Sequence, residues 1–343
     1  MSTRCSRWIC VFCLPLLSGL AQQNHRMTLD VVVTDKSGKP IPGLQQQDFT
    51  LLDNKLQQKI VSFHAVAGAT ADPPVEVILL IDDVNATFSN VATERDQIEK
   101  FLRQNGGQLA HPLSLAFLGD SGTTMGNTPS QDGNAVLAEL NQKSLGLRTI
   151  GRAQGFNGAD ERLDLSLRAL GNLAAYETPR PGRKLVVWIS PGWPFLSGPG
   201  IELSSKQRAG IFGSAVRISD ELRQARITLY NVDPLGVADA AGFRTSEYKV
   251  FLKGLKAPGQ AEIGNLALQV LASQSGGRVL NSTNNVEGEI AMSVADADAF
   301  YVLSFEYVPG DGPDEYHALD IKVDKPGLTA RTRAGYYAQP EHP

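Results

Sequence analysis

The spacing of hydrophobic and polar residues changes character twice along the chain. From Met27 apolar and polar positions alternate in short runs, MTLDVVVTD, DFTLLDN and QQKIVSFHAV, with KSGKPIPG between the first two. A period of two bounded by Gly, Pro, Asn and Asp predicts antiparallel strands, with Gly38 and Gly43 in the turns. AGATADPP closes this region. Beyond Val75 the strands become apolar throughout: VEVILLID, PLSLAFLGD, RKLVVWIS and ITLYNVD, with a short GGRVLN later. Helical spacing appears between them in TERDQIEKFLRQN, near 133–142 and 160–176, in SSKQRAGIFGSAVRISDELRQA and IGNLALQVLASQ, and near 286–295. Apolar strands alternating with amphipathic helices predict a doubly wound α/β unit whose mostly parallel sheet is covered on both faces.

After Ala297 the alternation returns in AFYVLSFEYV, YHALDIKVD and LTARTRAGYYA, separated by PGDGPDE and KPG. Three strands before the α/β unit and three after it are too few to stand alone, so they are expected to pair. The chain then reads as an α/β unit inserted in an antiparallel, β-sandwich-like domain. Its segments are 1–21, 22–70 (first part of the β domain), 71–297 (α/β) and 298–343 (second part).

The opening segment has its own logic. Arg4 and Arg7 precede the apolar run Trp8 to Leu17, and small residues Gly19 and Ala21 precede Gln22. That layout is a secretory signal peptide, and its apolar run is short of the ~20 residues that span a bilayer. Export to the periplasm, the cell surface or the medium is expected, without stable membrane insertion after cleavage. Cys5, Cys10 and Cys13 all fall in the removed segment, which excludes disulfides and thiol chemistry from the remainder. Two cations leave with it and no acid, so the remainder is more acidic than the −4 of the whole chain. No basic cluster offsets this, and a nucleic-acid partner is excluded on that ground.

Candidate chemistry centres on VEVILLIDDVNATFSN, where an apolar strand runs into Asp82 and Asp83, followed by Asn85, Thr87 and Ser89. Asp83, Asn85 and Thr87 form an Asp-x-Asn-x-Thr run of oxygen donors, whereas counting from Asp82 meets Val84 and Ala86. Together with VVVTDKSGKPIPGLQQQDFTLLDNKLQQKIVSF, ITLYNVDPLG and FYVLSFEYV…YHALDIKVDKPGLTARTRAGYYA, this layout resembles the von Willebrand factor A-type fold, and within it the VWFA-related family of acidobacterial type. The resemblance covers nearly all of the chain after residue 21.

It implies protein binding through loops at the carboxyl edge of the sheet. In adhesive A-type domains it also implies Mg²⁺, held by an Asp-x-Ser-x-Ser run, a Thr on a second loop and an Asp after the fourth strand. Mg²⁺ takes octahedral oxygen ligands and keeps waters, leaving a position for a partner's carboxylate. Here Asp83, Asn85 and Thr87 stand at the first run, Pro191 stands where the Asp is expected, and Asp160 or Glu161 lies nearest the Thr position. A degenerate metal site without a resident cofactor is therefore expected, with Mg²⁺ the candidate ion. On this reading Asp83, Asn85 and Thr87 bond the loop and cap the following helix.

Other features are weaker. The five histidines show no zinc spacing, and SQSGGRV reads as a helix end and turn. Asp296 and Asp298 in ADADAF read as a solvated joint. The stretch 233–262 is long for a plain connection and is expected to be functional or disordered. Trp193 and Phe195, in SPGWPFLSGPG, are either interface anchors or packed on the protein's own helices. The expected function is that of an exported, non-enzymatic protein-binding module, whose partner-facing positions are Trp193, Phe195, Asp160 and Glu161. The alternatives are a metal-dependent hydrolase built on Asp82 and Asp83, and a passive envelope component.

Overall fold

In the computed structural model, residues 25–68, 71–86, 88–143, 155–193, 202–236 and 246–341 are described. Residues 1–21, Thr87 and Phe195 lie outside them. Four strands come first: β1 (Arg26–Thr34), β2 (Phe49–Asp53), β3 (Leu56–Gln58) and β4 (Ile60–Ala67). The α/β segment follows with β5 (Glu76–Asp82), α1 (Phe88–Leu102), β6 (Gln108–Gly119), β7 (Gly122–Met125), β8 (Ser130–Asp132) and α2 (Gly133–Gln142). It continues through α3 (Gly155–Glu177), β9 (Lys184–Ile189), α4 (Ser205–Gln224), β10 (Ile227–Val232), α5 (Leu268–Gln274), β11 (Val279–Leu280) and α6 (Val286–Ala295). The chain then returns to strands β12 (Ala299–Glu306), β13 (Glu315–Val323), β14 (Thr329–Arg331) and β15 (Gly335–Ala338).

The seven-stranded sheet runs β11-β10-β9-β5-β6-β7, with β8 also on β6. Its first four pairings are parallel, and β7 and β8 join antiparallel. The unbroken apolar runs of β5 and β9 follow from this position. Alternate residues point to opposite faces, and both faces are covered. Ile78, Leu80, Val186, Trp188 and Leu229 meet Leu170, Leu173, Phe212 and Leu271 of α3, α4 and α5. Leu79, Ile81, Leu185, Val187 and Tyr230 meet Ile98, Leu102, Leu140 and Ile290 of α1, α2 and α6. Helix starts follow their caps. Asp132 accepts from the backbone N–H groups of Asn134 and Ala135, and Ser204 and Gln207 form a capping box on α4.

Strands from the two ends of the chain build the remaining sheets, β14-β1-β12-β4 and β15-β13-β2-β3. β1 is antiparallel to β12 from Arg26↔Glu306 to Val31↔Tyr301, and β2 pairs β13. Both sheets contribute to one apolar cluster. Leu29, Val31, Leu303 and Phe305 come from one, and Phe49, Leu51, Ile321 and Tyr336 from the other. Tyr301 packs on Phe49 at 5.0 Å between ring centroids and donates its hydroxyl to Ile41 O.

Several elements differ from the sequence reading. LTARTRAGYYA is not one strand but two, β14 and β15, serving different sheets. The helix expected from Ile263 begins as a 3₁₀ turn, Ile263–Leu266, before α5. β7 and β8 were not expected, since their short polar runs carry little periodicity. Among the described residues, no helix is long and apolar enough to cross a membrane.

The expectation of a solvated joint at Asp296 is overturned. Asp296 is fully buried at the end of α6. Arg278 donates to its Oδ1 at 3.0 Å, while Arg331 of β14 and Tyr230 of β10 donate to its Oδ2 at 2.5 and 2.9 Å. Arg183 donates to its carbonyl at 2.9 Å and lies over the Phe300 ring at 4.7 Å. Asp298 remains half exposed and meets buried His111 Nε2 at 2.8 Å. Asp296→Ala leaves two guanidinium groups and a buried hydroxyl without their acceptor. It is expected to cost about 3–5 kcal/mol in denaturant unfolding. A loss under about 1 kcal/mol would show the network to be dispensable.

Candidate functional site

The chain leaves β5 towards β6 on one side, whereas β9, β10 and β11 add on the other. Strand order therefore reverses between β5 and β9, and open α/β sheets take ligands at the carboxyl ends flanking such a reversal. β5 ends on Asp82, which is fully buried. Its Oδ1 accepts from the backbone N–H groups of Val84 at 3.0 Å and Asn85 at 2.9 Å. Its Oδ2 accepts from Asn85 Nδ2 at 2.8 Å and from the Trp188 indole N–H at 3.0 Å. All the lone-pair directions of the carboxylate are thereby taken. Asn85 Nδ2 also donates to Ser166 Oγ at 2.9 Å, and Ser166 donates to Arg162 O one turn earlier on α3. One short loop thus ties together the end of β5, the end of β9 and the side of α3.

The neighbouring loop is held as firmly. Ser190 Oγ accepts from Gly192 N at 3.0 Å, and Pro191 O accepts from Gln269 Nε2 of α5 at 3.2 Å. Gly192 has φ +87, a left-handed conformation that calls for glycine. Trp193 is buried. Its indole N–H donates to Leu266 O at 2.9 Å, and its ring stands edge-on to Trp188 at 5.4 Å. Of the two roles open to Trp193 from sequence, packing inside the protein is the one observed, and it is removed from the partner-facing set. Part of the stretch 233–262 also packs inward: Tyr248, Leu255 and Ala261 are buried, and Arg208 of α4 donates to Ala261 O at 2.8 Å.

Asp83 is half buried, and its backbone N–H donates to Leu118 O at 2.9 Å. Asp82, one residue earlier, bonds the turn, because the carboxylate at the strand's last position faces the turn it closes. Asp160 is exposed and Glu161 half buried on α3, between one and two helical turns before Ser166. The Asn85–Ser166 bond brings that segment of helix to this edge.

Glu94 of α1 was missed from sequence. Its carboxyl group is buried, and neither oxygen has a hydrogen-bond partner among the described residues. Burial, followed by the like charges of Asp82 and Asp83, pushes its pKa well above the usual carboxylate range. The signal was present, since Glu94, Ile98 and Phe101 share the spacing of a core-facing helix stripe, where an acid is out of place.

Of the Mg²⁺ set that the resemblance implies, Asp83 and Asn85 lie on this loop, and Thr87 is outside the described residues. Asp82 has no free oxygen, and among the described residues no three His, Cys, Asp or Glu side chains are grouped to hold a metal ion. The same saturation counts against Asp82 as half of a hydrolytic carboxylate pair.

No family model matches the chain, and no curated protein matches it. Among solved structures, the chain is similar to the SpRpn10 VWA domain, at 12% identity and a TM-score of 0.30, over 64% of this chain and 95% of that one. It is also similar to the pilus adhesin SpaC from Lactobacillus rhamnosus GG, at 10% identity and a TM-score of 0.34, over 87% of this chain and 43% of that one. At these scores neither likeness carries an inference. The mixed α/β architecture rests on the strand order and pairing above.

Glu94 generates a pH prediction. The folded state holds this proton to higher pH than the unfolded chain does. The two states match below the unfolded value near 4.5, and stability falls as pH rises from there towards the raised folded value. Glu94→Gln should remove that fall and be at least as stable as the wild type at pH 8, as measured by urea melts at pH 5 and 8. A variant less stable than the wild type at pH 8 would show that the ionised carboxylate has a stabilising partner.

Proposed function

We propose that this chain is an exported, non-catalytic A-type interaction module that engages a protein partner with the carboxyl edge of its parallel sheet. The observation that carries this reading is the bracing of that edge. Asp82, Asn85, Ser166 and Trp188 lock the β5 loop to β9 and α3, and Gln269 locks the Pro191 loop to α5. Loops held in one conformation before contact spend less ordering free energy on binding, which suits a recognition platform. The switch-point position and the exposed Asp160 at the start of α3 support the same reading. Export rests on the layout of residues 1–21, and Glu161 keeps its proposed place beside Asp160.

Residues 22–343 contain no cysteine, so Asp160→Cys supplies a single thiol for a maleimide photocrosslinker. Incubation with envelope extract should give a discrete heavier adduct, and the same label at exposed Lys322→Cys on β13 should not. Equal labelling from both positions, or none from Asp160→Cys, would remove the proposed surface.

The reading assigns no step to Mg²⁺. Millimolar Mg²⁺ is expected to leave the melting temperatures of the wild type and Asp83→Ala unchanged. A Mg²⁺-dependent rise that vanishes in Asp83→Ala would reinstate a metal-dependent mode of adhesion, because an ion bound only by the folded state stabilises it by mass action.

A further inference from the structure

A cavity of ≈ 150 Å³ opens on the α1 and α6 side of the parallel sheet, near the amino end of β5. Its walls are mostly apolar. Phe101 near the end of α1, Leu109 at the start of β6, and Ala291 and Val294 of α6 line it. All four belong to, or pack against, the apolar cluster on this face of the sheet. Packed cores leave few voids larger than a water molecule, so an opening of this size among such side chains is unusual. Asp298, between α6 and β12, lines the cavity where it meets solvent.

The lining carries one carboxylate and no lysine or arginine. Lys100 and Arg103, the cations nearest to it along the chain at the end of α1, are already paired with Asp96 and Glu99, at 2.7 and 2.8 Å. Gln104, which also lines the cavity, donates to Glu287 Oε1 at 2.7 Å and so brings a second acid close by. Asp298 Oδ1 meets Nε2 of buried His111 at 2.8 Å, which fixes the carboxylate, while Oδ2 has no hydrogen-bond partner among the described residues. The Asp298 side chain is 57% exposed, so the carboxylate stands at the mouth of the cavity, open to a ligand.

We propose that this cavity binds a small primary amine whose apolar body is about the size of a benzene ring. The body lies against Phe101, Leu109, Ala291 and Val294, and the ammonium stays at the mouth on Asp298 Oδ2. The size fits, because an apolar cavity of about 150 Å³ is large enough to admit benzene. Charge decides the head group. An ammonium bonds a carboxylate with charge assistance, and at the mouth it keeps much of its hydration, which avoids the cost of burying an ion. An anionic head group would meet Asp298 with like charge and find no cation in the lining. The cavity lies at the end of the sheet opposite the carboxyl edge, so the proposal does not depend on the partner-binding reading.

The test is calorimetric titration of the purified chain with benzylamine, benzoate or methylamine at neutral pH and matched ionic strength. Benzylamine should bind saturably. Benzoate, with the same ring and the opposite charge, and methylamine, with the same charge and no ring, should each bind on the order of tenfold more weakly or worse. Asp298→Asn should weaken benzylamine binding on the order of tenfold, through loss of the charged acceptor. Ala291→Leu, which puts a larger side chain into the cavity, should weaken it as well, and it carries the test should Asp298→Asn fail to fold. No saturable binding of benzylamine, equal binding of benzoate or methylamine, or undiminished benzylamine binding in a folded variant would overturn the proposal.

Discussion

A carboxylate taken wholly out of water loses several kcal/mol of hydration, and only well-placed donors offset that loss. Asp296 meets this constraint with partners from both parts of the chain: Tyr230 and Arg278 from the α/β segment, and Arg331 from β14. Neither part alone satisfies it. Arg278 also donates to Gly38 O in the turn after β1, and Arg331 to Gly276 O after α5, so each guanidinium reaches across the boundary as well as to the carboxylate. The relative placement of sheet and flanking strands is thus specified by polar geometry, to which non-directional apolar burial adds strength.

Much of the architecture was legible because burial writes itself into periodicity. The apolar runs of β5 and β9 mark strands covered on both faces, and the alternation in β1, β2 and β13 marks strands covered on one. The split of the last expected strand was not legible. Thr332, Arg333 and Ala334 carry no Gly or Pro to announce a break, and only the pairing partners of β14 and β15 show that the chain changes sheet there.

At the carboxyl edge, sequence located the loop and missed the bonding role of Asp82. Asp82 and Asp83 are adjacent acids of identical type, and the metal-ligand pattern favours the second. What separates them is a contact with Trp188, 106 positions away, which no local spacing reveals. Trp193 illustrates the same limit: an aromatic between Gly and Pro reads equally as exposed or buried until its neighbours are known. Asp296 is the strongest case. An acid between alanines near a helix end looks like a surface residue, and its three cationic neighbours lie at 183, 278 and 331.

The pairing of β1 with β12 joins Arg26 to Glu306. During synthesis from the amino terminus, β1 and β4 emerge long before the strands they pair with, and β2 long before β13, whereas the parallel sheet can assemble as soon as β11 and α6 are made. Closing the flanking sheets then requires holding together positions nearly the whole chain apart, which is the kind of long-range contact that slows folding. In the interval the first strands present open edges and half of an apolar core to the surroundings, so the nascent molecule is most prone to aggregation at its amino end. The completed α/β segment shortens that interval, since its two ends emerge side by side and deliver the late strands to the early ones.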